Sequence, residues 1–157
     1  MANSAAITVE SDLPDALLER WLQSDEGLTA FLQRFLNCEL RREEWTHRAH
    51  IGVCAALVLQ EQRQSALPII RSTIPRLNEA MGGINSDNAG YHETLTVFWV
   101  DRIDAVLRRL PQHFRNLDKV RAVVEAYGEV RRLDRAYYTF DVLASVEARK
   151  TWIPPDR

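Results

Sequence analysis

Several features are scarce in this chain of 157 residues, and each scarcity excludes a class of protein. There are two cysteines, Cys38 and Cys54, and no Cys-x-x-Cys pair, so a disulfide framework is not expected and a reducing compartment fits better. Glycine and proline number six each, which is low for an all-β fold. Hydrophobic runs are short as well, because the longest, 53–59, is far below the length of a transmembrane helix.

An excess of basic charge is also missing. The formal net charge is −2, and acidic residues are interspersed with the arginines of the arginine-rich segment 102–135. A nucleic-acid-binding protein would show a basic face, so we expect no nucleic acid among the partners. The start of the chain has neither a basic region nor an apolar core, so we predict no signal peptide and expect a cytoplasmic location without a membrane.

Amphipathic periodicity dominates what is present. Hydrophobic residues make up 46% of the chain and charged residues 27%, as in ordinary globular proteins. Apolar residues recur at helical spacing, most clearly in 28–36. We therefore predict an all-α fold, a single compact bundle of six or seven helices over 12–157, preceded by a flexible lead-in at 1–11. The expected helices lie at about 14–23, 26–37, 44–61, 64–81, 91–110 and 117–132, with one or two short helices in 137–152.

Three details of these helices bear on a site. Residues 51–59 are apolar nearly all round, so the third helix is expected to be central and buried. Pro75, inside the fourth helix, predicts a kink or break before it. The segment 82–90, GGINSDNAG, is the most loop-like part of the chain, and we expect it to form the rim of a pocket.

Two histidine motifs, each at a predicted helix start, are the main functional signal. The first is WTHRAH at 45–50 and the second is YHET at 91–94. His47 and His50 are three positions apart, which places their Cβ atoms about 5–6 Å apart on one helix face. Two imidazoles at this spacing can meet one metal ion, and His92 from a second helix would complete a three-ligand site with an open position. A helix N-terminus also favours the neutral imidazole, which is the form that binds metal.

The leading hypothesis is therefore a small metal-dependent enzyme that acts on a small molecule by a hydrolytic or an oxidative reaction. Zinc or iron is the expected divalent metal, held by the three histidines. Glu93 is a candidate catalytic residue, as a general base for a metal-bound water or as the partner that orients a histidine. Arg149 is a candidate to clamp a substrate carboxylate or phosphate. The candidate substrate-binding residues are Trp45, Tyr91 and Asn88.

Two alternatives remain open at this point. One is a metal-free binding module, in which the same histidines, with Tyr91 and Trp45, hydrogen-bond an anionic or aromatic ligand and no cofactor is needed. The other is a structural or protein-interaction domain, with a homodimer interface as one form. It predicts that the histidines are dispensable and that an exposed apolar patch lies elsewhere.

The two helix starts, together with the closing segment ARKTWIPPD, resemble a group of uncharacterised bacterial helical proteins. In that group a His-x-x-His start, a Tyr-His-Glu-Thr start and an Ala-Arg…Pro-Asp end recur in this order. The resemblance spans about 45–156 and implies no reaction, because the group has no known activity. It does imply that one constellation contains His47, His50, His92, Glu93 and Arg149.

Overall fold

The computed structural model of the protein describes residues 14–157, with side chains from Leu18 onward, and every regular element within them is helical. The predicted all-α bundle is thereby confirmed, whereas the predicted lead-in at 1–11 lies outside the described residues. Short three-ten helices occupy Arg42–Glu44 and Leu133–Ala136. The α-helices are α1 (Pro14–Trp21), α2 (Asp25–Leu36), α3 (His47–Ala80), α4 (Glu93–Leu107), α5 (Asn116–Tyr127) and α6 (Val146–Lys150).

Side-chain caps define where the helices begin. Thr46 Oγ1 accepts the N–H of Ala49 at 3.2 Å, and Nδ1 of His92 accepts the N–H of Leu95 at 3.2 Å. Each cap satisfies one of the N–H groups that a helix start leaves unpaired. These two caps fix the helix starts that carry the histidine motifs. Serine caps begin two other helices, Ser24 for α2 and Ser145 for α6.

Helix α3 is broken at Gln62, whose φ of 63° and ψ of 157° are non-helical. The break separates a first arm, residues 47–61, from a second arm, residues 63–80. The arms correspond to the helices that the sequence predicted separately at about 44–61 and 64–81. The kink expected before Pro75 is absent, because the non-helical torsion angles within α3 belong to Gln62 alone.

The two arms of α3 fold back on each other as a hairpin. His50 in the first arm and Asn78 in the second line one cavity, although a straight helix would hold them about 40 Å apart. The guanidinium of Arg42, just before the hairpin, donates to the carbonyl of Met81, just after it, at 2.9 Å. The start of the first arm and the end of the second therefore lie side by side.

The first arm of α3 is the centre of the bundle. Residues 51–58 are all buried, as expected from their apolar run, and α3 packs against α4 and α5. A smaller cluster attaches the C-terminal segment to α4, and it consists of Phe98, Tyr138, Val142 and Ala148. Across residues 14–157, no helix combines the length and the apolarity needed to cross a membrane.

Helix α5 ends at Tyr127, earlier than the predicted end near 132. The N–H of Gly128 closes the last turn on the carbonyl of Val124 at 2.7 Å. Glycine is required by close approach there, since a Cβ at this position would lie 2.5 Å from the backbone carbonyl oxygen of Val124. The early end leaves the Tyr127 carbonyl outside the helical ladder, where His47 reaches it.

Candidate functional site

A cavity of about 480 Å³ lies where α3 and α4 begin. Both histidine motifs border it, so the two motifs do meet in space. The second arm of α3 contributes Ile74 and Asn78, and the turn after α5 contributes Arg131 and Arg132. Its volume falls within the range of about 300–1,000 Å³ that is typical of small-molecule sites. Its aromatic and imidazole walls are Trp45, His47, His50, Tyr91, His92 and Trp99.

His50 presents one unbonded ring nitrogen to the cavity. Its Nδ1–H donates to the carbonyl of Thr46 at 2.8 Å, because a carbonyl can only accept. The unprotonated nitrogen is therefore Nε2, and no hydrogen bond from the described residues reaches it. The indole of Trp45 lies against the imidazole with ring centroids 3.8 Å apart. Burial lowers the pKa of His50 to about 4, so the ring is a neutral acceptor at pH 7.

His47 is tied to the backbone at the end of α5. Its Nε2–H donates to the carbonyl of Tyr127 at 3.1 Å, and its ring meets Trp99 edge-on with centroids 5.2 Å apart. Burial lowers the pKa of His47, and the nearby guanidinium of Arg131 lowers it further. The ring is therefore held neutral beside a positive charge.

Both ring nitrogens of His92 are engaged. Nε2–H donates to the carbonyl of Val142 at 2.9 Å, while Nδ1 accepts the N–H of Leu95 at 3.2 Å. Burial lowers the pKa of His92, and the positive charge of Arg149 acts in the same direction. His92 therefore joins the start of α4 to the C-terminal segment and has no lone pair left for a ligand.

The three imidazoles do not converge as a set of metal ligands. A ligand must offer the lone pair of a neutral ring, and His50 offers one, whereas His92 offers none. Nε2 of His47 carries the proton given to Tyr127, so the lone pair of that ring is on Nδ1. Within the described part of the chain, no three His, Cys, Asp or Glu side chains are grouped so as to hold an ion. The zinc or iron site predicted at His47, His50 and His92 therefore finds no support here.

Glu93, the predicted catalytic carboxylate, is engaged by two partners and does not border the cavity. Its Oε1 accepts from Nε of Arg71 at 2.7 Å, and its Oε2 accepts from the hydroxyl of Tyr91 at 2.6 Å. Burial and the Glu93 carboxylate raise the pKa of Tyr91, which stays protonated. Glu93 therefore holds Tyr91, which does border the cavity, and joins α4 to the second arm of α3.

Asn88 belongs to the loop between α3 and α4, and Arg149, in α6, binds that loop from outside. Nη1 of Arg149 donates to the carbonyls of Gly90 at 2.9 Å and Tyr91 at 3.3 Å. Asn88 is exposed, and its backbone N–H donates to Oγ of Ser86 at 3.3 Å. Neither Arg149 nor Asn88 borders the cavity, and the loop reaches its rim through Gly90 and Tyr91 instead.

Other lining residues lie outside the two motifs. Arg131 is exposed at the rim, while Arg132 forms ion pairs with Asp134 at 2.9 Å and Asp141 at 2.8 Å. In the sequence both arginines fall in a mixed-charge stretch of a predicted helix, and only the earlier end of α5 brings them here. Cys54 also lines the cavity, and burial raises the pKa of its thiol to about 12, in keeping with an inert thiol.

Comparison with protein-family models, with curated proteins and with solved structures found no match to this chain.

Proposed function

We propose that the protein binds a small organic molecule, without a metal, in the cavity between the starts of α3 and α4. The observation that carries this proposal is His50, whose unprotonated Nε2 is left unbonded in the wall of a cavity of about 480 Å³. A concave site with mostly apolar walls and a few oriented polar groups is the usual form of a ligand site.

The residues that line the cavity have two roles in binding: some provide apolar contact, and His50 orients the ligand. Trp45, Trp99, Ile51 and Leu95 offer apolar surface, and covering it yields about 25 cal/mol for each Å² removed from water. His50 Nε2 would accept one O–H or N–H of the ligand and so fix its orientation. A neutral hydrogen bond of this kind adds about 1 kcal/mol and discriminates against ligands that leave the acceptor unpaired.

The protonation of His50 favours binding over acid–base catalysis. A general base works best when its pKa lies near the operating pH, and the pKa of His50 is about 4. Glu93, the other candidate base, is held by Arg71 and Tyr91. His50 is thus a good hydrogen-bond acceptor at the cavity, but its pKa is too low for an efficient general base at neutral pH.

A fragment library screened by ligand-observed NMR, in the presence of EDTA, tests the proposal. Leu143 lines the cavity and is 44% exposed, so Leu143→Trp should obstruct the cavity without disturbing the core. Val146, 39% exposed and outside the cavity, provides the matched control Val146→Trp. We expect fragments that bind wild type and Val146→Trp, and that bind Leu143→Trp at least about tenfold more weakly, a loss of about 1.4 kcal/mol.

Three results would overturn the proposal. The first is a library without hits, and the second is a set of hits that Leu143→Trp binds as well as wild type does. The third is binding that appears only after EDTA is replaced by zinc or iron, which would restore the metal-dependent interpretation.

A further inference from the structure

The cavity is surrounded by more positive than negative charge. Its described lining contains Arg131 and Arg132 but no aspartate or glutamate. Arg132 is neutralised by two carboxylates, Asp134 at 2.9 Å and Asp141 at 2.8 Å. Arg131 forms no ion pair with any carboxylate of the described residues. One uncompensated guanidinium therefore stands at the rim.

A second arginine adds to this field from the opposite motif. Arg149 donates to the carbonyls of Gly90 and Tyr91, and it also lacks an ion-pair partner among the described carboxylates. Its charge acts on His92, as that of Arg131 acts on His47. The carboxylates of Asp134 and Glu129 act on the same two rings in the opposite sense, but each is paired with another arginine, Arg132 and Arg48. Since both imidazoles belong to the cavity wall, both guanidinium groups lie close enough to attract an anion into it.

The shape and chemistry of the walls narrow the class of anion. A single guanidinium at the rim of an apolar cavity suits a singly charged head group, and its planar fork matches a carboxylate. The remaining wall, with residues such as Ile74 and Leu143, suits an apolar body.

We propose that the ligand of this cavity is an organic carboxylate with an apolar body, and that Arg131 at the rim is its counter-ion. The inference rests on the proposed function, since it names the chemical class of the molecule bound there. The carboxylate lies at the Arg131 side of the rim, and the apolar body lies between the tryptophans.

Two series of probes that differ only in charge test the inference by titration calorimetry. The aromatic series is indole-acetate, indole-acetamide and tryptamine, and the aliphatic series is dodecanoate, dodecanamide and dodecylamine. Each series keeps the body and changes the head group from anion to neutral to cation. In at least one series we expect the carboxylate to bind about tenfold more tightly than its amide, the usual size of a charge-assisted contact. The series that responds shows whether the body is aromatic or aliphatic.

Arg131→Gln should remove this preference and bring the carboxylate to the affinity of its amide. Arg109→Gln is the matched control, because Arg109 is exposed, lies just beyond α4 and does not border the cavity, yet its loss changes the net charge equally. The control should keep the tenfold preference. Rising salt should weaken the preference in wild type, because the guanidinium is exposed.

The inference is overturned if amides or amines bind as tightly as carboxylates, or if Arg131→Gln keeps the preference. Either result leaves the binding function standing, since a ligand still occupies the cavity. Failure of both series to bind also overturns the inference that the ligand is a carboxylate. The fragment screen with Leu143→Trp tests the binding function separately.

Discussion

At the scale of single residues, backbone carbonyls decide what each histidine of the cavity can do. His92 gives its proton to Val142 and its lone pair to Leu95, so it is a structural link. His50 gives its Nδ1 proton to the preceding turn, at Thr46, and keeps Nε2 for the cavity. The histidines of the cavity therefore have different roles, because their ring nitrogens have different hydrogen-bond partners.

The lowered pKa of His50 makes the stability of the fold depend on pH. An unfolded histidine binds a proton below about pH 6.5, whereas the folded chain protonates His50 only near its pKa of about 4. Between these values the unfolded chain holds more protons, so the free energy of unfolding falls as the pH falls. His50 alone should account for a loss of about 3 kcal/mol across this window, and the lowered pKa values of His47 and His92 act in the same direction.

Urea unfolding at about pH 7 and about pH 4.5 measures this loss. His50→Gln should unfold with a clearly smaller pH dependence, whatever its stability at neutral pH, because glutamine does not titrate. An unchanged difference between the two pH values in His50→Gln would show that the loss arises elsewhere.

At the scale of elements, the hairpin in α3 matters most for the site. It returns Ile74 and Asn78 to the cavity that His50 borders, and it sets the second arm beside α4. Arg63 pairs with Asp101 at 2.6 Å and Arg71 with Glu93 at 2.6 Å, so the arm and α4 run in opposite directions. The hairpin depends on one exposed residue, Gln62, in a left-handed conformation.

Gln62→Gly should stabilise the protein. Its φ of 63° and ψ of 157° lie in a region that glycine occupies almost alone, and other residues are strained there by about 1–3 kcal/mol. Glycine also makes the unfolded chain more flexible, which offsets part of the gain. We expect the free energy of unfolding, from urea titration, to rise by about 1 kcal/mol.

Gln64→Gly is the matched control, because Gln64 is exposed and lies in helical backbone. It should lower the free energy of unfolding by about 1 kcal/mol. If both variants are destabilised equally, position 62 is helical in solution and the hairpin description is wrong.

At the scale of the whole molecule, the C-terminal segment is fastened to the start of α4. The hydroxyl of Thr94, fully buried, donates to the carbonyl of Thr151 at 2.6 Å and accepts the N–H of Ile153 at 3.0 Å. The hydroxyl of Tyr138 donates to the carbonyl of Ile153 at 2.7 Å. With His92 bound to Val142, these contacts hold one side of the cavity against residues some fifty positions further along the chain.

Thr94→Val should destabilise the protein by about 2 kcal/mol, because valine keeps the volume but removes the hydroxyl that pairs with the carbonyl of Thr151 and the N–H of Ile153. Thr29→Val, at an exposed position of α2, is the control and should change the free energy of unfolding by less than about 0.5 kcal/mol. Urea unfolding of both variants checks this, and equal effects would mean that the C-terminal segment is not fastened through Thr94.

Local features made much of the fold predictable. Helix periodicity and the caps at Ser24 and Ser145 act within about four residues, so the sequence alone indicates where these helices lie. The separation of α3 into two helices and the burial of 51–58 follow from the same local patterns. The end of α5 and the absence of a kink at Pro75 did not follow, because a local pattern gives the preference of a residue but not the tertiary contacts that the residue makes.

The candidate site could be predicted from the sequence only in part. The sequence by itself determined that two histidine motifs begin two helices, because a helix start depends on adjacent residues. Tertiary structure alone decided that His92 donates its hydrogen bond to Val142, that Glu93 pairs with Arg71 and that Arg131 lies at the rim of the cavity. The chemistry of a side chain depends on which of its donors and acceptors remain unpaired, and those partners lie far along the chain.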